Sequence, residues 1–305
     1  MGVKGKLIAS VEVKCGGHLV HDIIHTNTHH LPNICPGKLN GFEIHEGGTV
    51  KVGSVVIWKY NDDGKDKIAK QVIEAIDHQK KSITWKVIGG DLLELYNSFT
   101  IISSNDHQWT TWTFVYEKKT EDVPEPLVLL GLALGVTKDI ECHLLNLFTT
   151  FLSYEGETMG LKGKLTASVE VECGGHLFHD LYQNNPHQLC TISPSKVKHF
   201  EILKGGIIKI GSIVSWKYNN GGKDTTVKEV IEAIDPQKKS ITWKVIEGDL
   251  LELYNSFTII TSCEQQWTTW TLVYDKKTKD IPEPIALLGC ALDMTKDIED
   301  HLLKK

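Results

Sequence analysis

The sequence predicts an α+β protein built from two tandem copies of one domain, and three observations lead to this prediction. Residues 2–145 recur as residues 160–303 at a constant offset of 158, with about two thirds of the aligned positions identical. Within each copy, short segments of strand-like alternation precede one long segment of helical spacing. The repeat is also far longer than a solenoid unit of roughly 20–50 residues, and it matches the size of a whole domain.

The joint between the copies predicts a head-to-tail fusion of two complete domains. Met159 aligns with Met1, so the second copy begins at what resembles a former start residue. The residues just before it include Ser153, Glu155, Gly156 and Glu157, a polar composition typical of a linker. We therefore expect a first domain at 1–152, a linker at 153–159 and a second domain at 160–305.

Each copy is predicted to contain seven strands and two short helices before its last element. Leu7, Ala9, Val11 and Val13 alternate with polar residues, which predicts the first strand. Residues 18–35 lack this alternation and predict one or two short helices. Six further strands are predicted at about 41–45, 52–60, 67–77, 82–88, 92–103 and 108–118. Tight turns separate them, so successive strands are expected to be antiparallel neighbours.

A long helix is predicted to end each copy, at 126–150 in the first. Pro124-Glu125-Pro126 stops the strands and places proline in the first helical turn. Apolar side chains then recur at helical spacing, namely Leu129, Leu132, Val136, Ile140, Leu144 and Leu147. A curved sheet and an amphipathic helix both need cover, so the helix is expected on the concave face of the sheet. One helix leaves room there for a large interior cavity.

Composition excludes several classes of function. The net charge is −6 and the chain has no arginine, which argues against nucleic acid as a partner. No run approaches 18 apolar residues, so no membrane span is predicted. The seven cysteines are scattered without a CxxC pair, which predicts free thiols, a cytoplasmic location and no zinc site. His18 and His21 lack a third ligand at suitable spacing, so surface or capping roles are predicted for them and no metal is expected.

The order and spacing of several motifs resemble the major latex protein branch of the Bet v 1-like (pathogenesis-related class 10) superfamily of plants. They are residues 29–38 (HHLPNICPGK), 44–47 (IHEG), Gly53-Ser54-Val55, Trp58-Lys59-Tyr60 and Pro124-Glu125-Pro126. The resemblance covers both copies. It implies a helix-grip, START-like fold in which a seven-stranded antiparallel sheet surrounds the long C-terminal helix. It also implies a cavity for hydrophobic or amphipathic small molecules, with roles in plant stress and defence.

The candidate ligand-binding residues are mostly aromatic side chains that recur between the copies. Aromatic walls suit flat apolar ligands, although plain core packing accounts for many such residues. In the first copy the candidates are Trp58, Ile83, Trp85, Tyr96, Trp112, Phe114 and Tyr116. In the second copy they are Trp216, Ile241, Trp243, Tyr254, Trp270 and Tyr274. The resemblance implies that these faces look inward.

The alternative hypothesis is an enzyme of plant specialised metabolism. Some members of the superfamily catalyse condensation, cyclisation or isomerisation in the cavity with acid/base groups and no cofactor. By that resemblance the weak catalytic candidates are Tyr96, Tyr116, His143, Tyr254, Tyr274 and His301. A protein partner recruited with the ligand is a third possibility. Differences between the copies cluster at 23–41 against 181–199, for example Ile24 against Tyr182, so the two cavities are expected to differ in ligand.

Overall fold

A computed structural model of the chain describes residues 3–46, 48–62, 64–151, 161–220 and 222–304. The chain divides into two compact units, Met1–Glu157 and Thr158–Lys305, which we call the first and the second domain. The predicted linker at 153–159 lies outside the described residues, so the boundaries 1–152 and 160–305 stay predictions.

The first domain contains an antiparallel sheet of seven strands within its described residues. They are β1 (Val3–Glu12), β2 (Leu39–Glu46), β3 (Val55–Asp62), β4 (Lys65–Asp77), β5 (Ser82–Gly90), β6 (Tyr96–Asn105) and β7 (Trp109–Lys118). The order in the sheet is β2-β3-β4-β5-β6-β7-β1, so six consecutive strands pair with their chain neighbours. β1 pairs with β7, which places Leu7 opposite Phe114.

Four helices complete the first domain as described. They are α1 (Gly17–His25), α2 (Leu31–Ile34), α3 (Leu92–Leu95) and α4 (Leu127–Phe151), with a 3-10 turn at Thr28–His30. The side chains of Leu134 and Ile140 on α4 are buried, and the helix packs against β1 and β7. Of all helices in the described part of the chain, none has both the length and the apolar character needed to cross a membrane.

The second domain repeats this architecture. Its elements are β8 (Lys162–Glu170), α5 (Gly175–Asn184), α6 (Leu189–Ile192), β9 (Val197–Lys204), β10 (Ile213–Asn220), β11 (Lys223–Asp235), β12 (Ser240–Gly248), α7 (Leu250–Leu253), β13 (Tyr254–Glu264), β14 (Trp267–Lys276) and α8 (Ile285–Leu303). The strand order β9-β10-β11-β12-β13-β14-β8 matches that of the first domain. The predicted fold class, an antiparallel sheet gripping a long C-terminal helix in each of two domains, is confirmed.

Two local predictions are wrong. Residues 92–95 form α3 and not the start of a strand, since β6 begins only at Tyr96. The Asp91 carboxylate accepts the backbone N–H of Ile68 at 2.6 Å, and the Asp91 carbonyl accepts the N–H of Glu94, which holds this turn against β4. On α4, Leu147 is exposed although the helical spacing placed it on the apolar stripe.

The Pro124-Glu125-Pro126 segment is tied to the sheet by buried polar contacts. The Tyr96 hydroxyl donates to the carbonyl of Pro124 at 2.9 Å. The Lys118 ammonium pairs with the Glu125 carboxylate at 3.2 Å, and both side chains are about nine-tenths buried. The second domain repeats both contacts, from Tyr254 to Pro282 and from Lys276 to Glu283. This segment therefore fixes where the long helix begins relative to β6 and β7.

Gly5 is required by a close approach of Tyr116, which lies opposite it on β7. A Cβ atom at this position would overlap the Tyr116 ring. We expect Gly5→Ala to lower the free energy of unfolding by about 1–3 kcal/mol, the usual cost of overpacking. Gly37→Ala is the control, because a Cβ there meets nothing within 4 Å. Urea unfolding of both variants tests this, and equal costs would contradict it.

Candidate functional site

The first domain contains a cavity that opens to solvent. Strands β2 to β7 supply one wall and α4 supplies the other. The short helices α1, α2 and α3 contribute Ile24, Leu31 and Leu92 to the lining. The side chains on these walls are apolar or aromatic except for Gln71 and the hydroxyl of Tyr60. The arrangement can bind a largely apolar molecule and orient it by few polar contacts.

Trp112 is held in the wall of this cavity by the long helix. Its indole N–H donates to the hydroxyl of Thr137 on α4 at 2.9 Å, and that hydroxyl donates to the Ala133 carbonyl at 3.0 Å. The Trp112 ring stacks on Trp85 with 6.1 Å between ring centroids. Because the indole N–H is satisfied internally, the aromatic faces remain available to an apolar ligand.

The second domain contains a corresponding cavity. Trp270 is held by Thr295 on α8 at 2.9 Å, as Trp112 is held by Thr137. Several lining side chains differ between the two cavities at equivalent positions. Tyr182, Glu229, Cys290 and Met294 stand where the first cavity has Ile24, Gln71, Leu132 and Val136. The second lining therefore includes a carboxyl-bearing residue at a position where the first has an amide.

The structure places seven of the predicted ligand-binding residues in the cavity walls. They are Trp58, Trp85, Trp112, Phe114, Trp216, Trp243 and Trp270. The other six do not belong to the described linings, although all are buried. They are Ile83, Tyr96, Tyr116, Ile241, Tyr254 and Tyr274. A role in ligand contact stays a prediction for all thirteen.

Tyr96 and Tyr116, both weak catalytic candidates, are brought together in a buried aromatic cluster with Phe99. Their ring centroids lie 5.6 Å apart, edge to face. Tyr254 and Tyr274 form the same arrangement in the second domain at 5.7 Å. Burial raises the pKa of Tyr96, and it raises the pKa of Tyr254 to about 12. These phenols therefore hold their protons at neutral pH, and the bonds from Tyr96 and Tyr254 to proline carbonyls are structural.

The two histidine candidates lie on the long helices of the two domains. His143 is exposed on α4, and His301 is partly exposed near the end of α8. Neither belongs to a described cavity lining. A catalytic role therefore stays a prediction for both histidines.

Only some of the histidines predicted to have surface or capping roles lie at the surface. His21 on α1 and its equivalent His179 on α5 are buried, which corrects the prediction. The His21 ring stacks on His25 with 5.5 Å between centroids. Burial lowers the pKa of His21 and of His25. Within the described residues, no group of three or more His, Cys, Asp or Glu side chains is placed to hold a metal ion.

Gln71 and Glu229 are the functional candidates that the sequence reasoning missed. They occupy equivalent inward positions on β4 and β11. The signal was present, because Thr225, Val227, Glu229 and Ile231 alternate with exposed or half-buried residues along β11. A carboxyl on the buried face of such a strand indicates a cavity or a binding site.

Glu229 has an unusual electrostatic environment. Its side chain is 3% exposed. Burial raises the pKa of its carboxyl from 4.5 to about 8, and a hydrogen bond from the Trp216 side chain opposes this shift. The Glu229 charge also helps to raise the pKa of the neighbouring phenol of Tyr218. The second cavity therefore contains a carboxyl that is mostly protonated at neutral pH.

The sequence matches the family model described as the pathogenesis-related protein Bet v 1 family, at residues 2–147 and again at 160–305. The chain belongs to the Bet v 1 family. Two relatives from Arabidopsis thaliana, MLP-like protein 28 and MLP-like protein 34, are each 34% identical over 311 residues. The matches cover 98% of this chain and 92% and 96% of those proteins. The recognition of a tandem Bet v 1 family chain of the major latex protein type is thereby confirmed.

A crystal structure of ginseng major latex-like protein 151 from Panax ginseng is also similar to this Bet v 1 family chain. It is 44% identical and covers 47% of this chain and 98% of that one, with a TM-score of 0.46.

Proposed function

We propose that each domain binds a hydrophobic or amphipathic small molecule in its interior cavity. The observation that carries the proposal is the lining itself: a wall of aromatic and aliphatic side chains with few polar groups in each domain. A lining of this kind suits a flat, largely apolar ligand. Membership in the Bet v 1 family supports the proposal, since ligand binding is the general property expected of that family.

Filling each cavity in turn tests this proposal. Ala133 on α4 and Ala291 on α8 line the first and the second cavity at equivalent positions. We expect the full chain to bind two equivalents of the neutral dye N-phenyl-1-naphthylamine with enhanced fluorescence. Ala133→Phe and Ala291→Phe are each expected to bind one equivalent, because the added ring occupies the space of the ligand. Fluorescence titration gives both stoichiometries.

Exposed positions on the same helices supply the controls. Val128→Phe and Ala286→Phe add aromatic rings to solvent-facing sites on α4 and α8, so both variants should still bind two equivalents. If only the two cavity variants bind one equivalent of dye fewer than the wild type, the result supports binding inside the domains. Equal stoichiometry in all five proteins would place the dye elsewhere and overturn the proposal.

A further inference from the structure

Glu229 places a carboxyl inside the second cavity where the first cavity has the amide of Gln71. Its neighbours on β11, Val227 and Ile231, share its face and are buried. β10 and β12 flank this strand, with Val214 and Val245 opposite Glu229. Glu229 thus lies on the inward face of β11 between two flanking strands and not at the end of its strand.

No cation of the chain is placed to neutralise this carboxyl within the described lining. That lining contains no lysine, and the chain has no arginine. The Trp216 indole N–H is the polar contact that favours the carboxylate. A buried carboxylate is expensive unless a positive group accompanies it. The complementary group must therefore come from a ligand, or the carboxyl must stay protonated.

The walls around Glu229 favour a cation. Trp216, Trp243, Trp270, Tyr182 and Tyr218 all line this cavity. Trp216 and Trp243 meet edge to face at 6.0 Å, and Tyr182 meets Trp270 at 5.6 Å. The faces of such rings attract ammonium groups, most strongly where water is excluded. The hydroxyls of Tyr182 and Tyr218 are buried and have no hydrogen-bond partner among the described residues.

We propose that the second cavity selects small aromatic amines, whose ammonium group pairs with Glu229 among the indole and phenol rings, whereas the first cavity selects neutral ligands. This inference rests on the proposed function, because it assumes that both cavities accept small molecules. The two cavities would then differ in ligand class because the first has Gln71 where the second has Glu229.

The pairing releases a proton and so depends on pH. An ammonium ligand and a protonated Glu229 give an ion pair and one free proton. Because the pKa of free Glu229 is about 8, amine affinity is expected to rise about tenfold per pH unit between pH 6 and 8. A neutral ligand of the same shape should show no such rise.

The described titratable groups near the cavity other than Glu229 are two tyrosines, a cysteine and two aspartates. Burial raises the pKa of Tyr182 on α5 and of Tyr218 on β10, and it raises the pKa of Cys290 on α8 to about 11. The described lining from β9, β12, β13 and β14 consists of Val197, Trp243, Ile259, Trp270 and Leu272, which do not titrate. Beyond Cys290 on α8 lie Asp293, whose pKa is raised by burial, and Asp297, which pairs with Lys196 at 2.9 Å.

Calorimetric titration of the full chain with two probes tests the inference. The probes are 1-naphthylmethylamine and its neutral counterpart 1-naphthalenemethanol. For the wild type we expect two sites for the alcohol and one high-affinity site for the amine. At the second cavity the amine is expected to bind about tenfold or more tightly than the alcohol. Glu229→Gln is expected to abolish the preference while both alcohol sites remain. Gln71→Glu is expected to create a second amine site.

The alcohol separates failure of this inference from failure of the proposed function. If the alcohol binds at two sites and Glu229→Gln keeps the full amine preference, only the amine inference is overturned. The same holds if amine affinity in the wild type is flat between pH 6 and 8. If neither probe binds the wild type, the proposed function fails and the inference fails with it. Retained alcohol binding in each variant shows that its cavities are intact.

Discussion

Glu229→Gln is expected to stabilise the second domain at alkaline pH by on the order of 4 kcal/mol, with little effect near pH 4. The pKa of the buried carboxyl is about 8, against 4.5 for a free glutamate. Between these values the folded domain holds a proton that the unfolded chain has lost. Stability of the wild type therefore falls as pH rises through this window, and glutamine removes the fall because it has no charge to bury.

The first domain shows that glutamine is accommodated at this position, and it serves as the internal reference for this measurement. Gln71 occupies the equivalent position, so an amide fits the same wall. Urea unfolding at pH 4, 7 and 9 with pulsed hydrogen–deuterium exchange follows each domain through its own peptides. Peptides of β11 and β12 should gain protection in the variant at pH 9, and those of β4 and β5 should not change. A constant difference across the three pH values would contradict the assignment of a raised pKa to Glu229.

Glu283→Ala is expected to cost the second domain about 3–5 kcal/mol, the usual cost of breaking a buried ion pair. The Lys276 ammonium lies 3.0 Å from the Glu283 carboxylate, and the two side chains are 8% and 10% exposed. The Tyr274 hydroxyl also donates to this carboxylate. Alanine removes the carboxylate from beside a buried ammonium and loosens the segment that begins α8. Urea unfolding of the full chain measures the loss.

An exposed ion pair in the same domain is the matched control. Lys228 and Glu247 are 2.6 Å apart, and their side chains are 39% and 66% exposed. Water and salt screen such a pair, so Glu247→Ala should cost less than about 1 kcal/mol. Glu125→Ala in the first domain removes the equivalent buried pair with Lys118, so it should also cost more than Glu247→Ala. If Glu283→Ala were no more costly than Glu247→Ala, the anchoring role of the segment would be wrong.

Most of the fold was predictable because periodicity and turns agree along the chain. The alternation of Leu7, Ala9 and Val11 marked β1, and all three side chains are fully buried. The prediction failed at 92–95, where Leu92, Leu93 and Leu95 give no alternation. A contact with β4, from Asp91 to Ile68, determines the helical turn there. That contact joins residues 23 positions apart, so local pattern could not show it.

The candidate site was only half predictable, for a different reason. Recurrence between the copies predicted the tryptophans that line both cavities. It missed Glu229 because the equivalent residue is Gln71, so this position counts as a difference between the copies. Residue type favours the tyrosines over the tryptophans as catalytic groups. The hydroxyls of Tyr96 and Tyr254, however, donate hydrogen bonds to proline carbonyls. An inward aromatic side chain lines the cavity only where the long helix lies far enough from its strand. The sequence pattern does not encode that distance.

Native mass spectrometry of the full chain with N-phenyl-1-naphthylamine tests the central claim, that each domain binds one small molecule in its cavity, most directly. The wild type is predicted to carry two dye molecules, and the double variant Ala133→Phe/Ala291→Phe is predicted to carry none. The double variant Val128→Phe/Ala286→Phe should still carry two. Two dye molecules on the cavity-filled chain, or none on the wild type, would contradict the account.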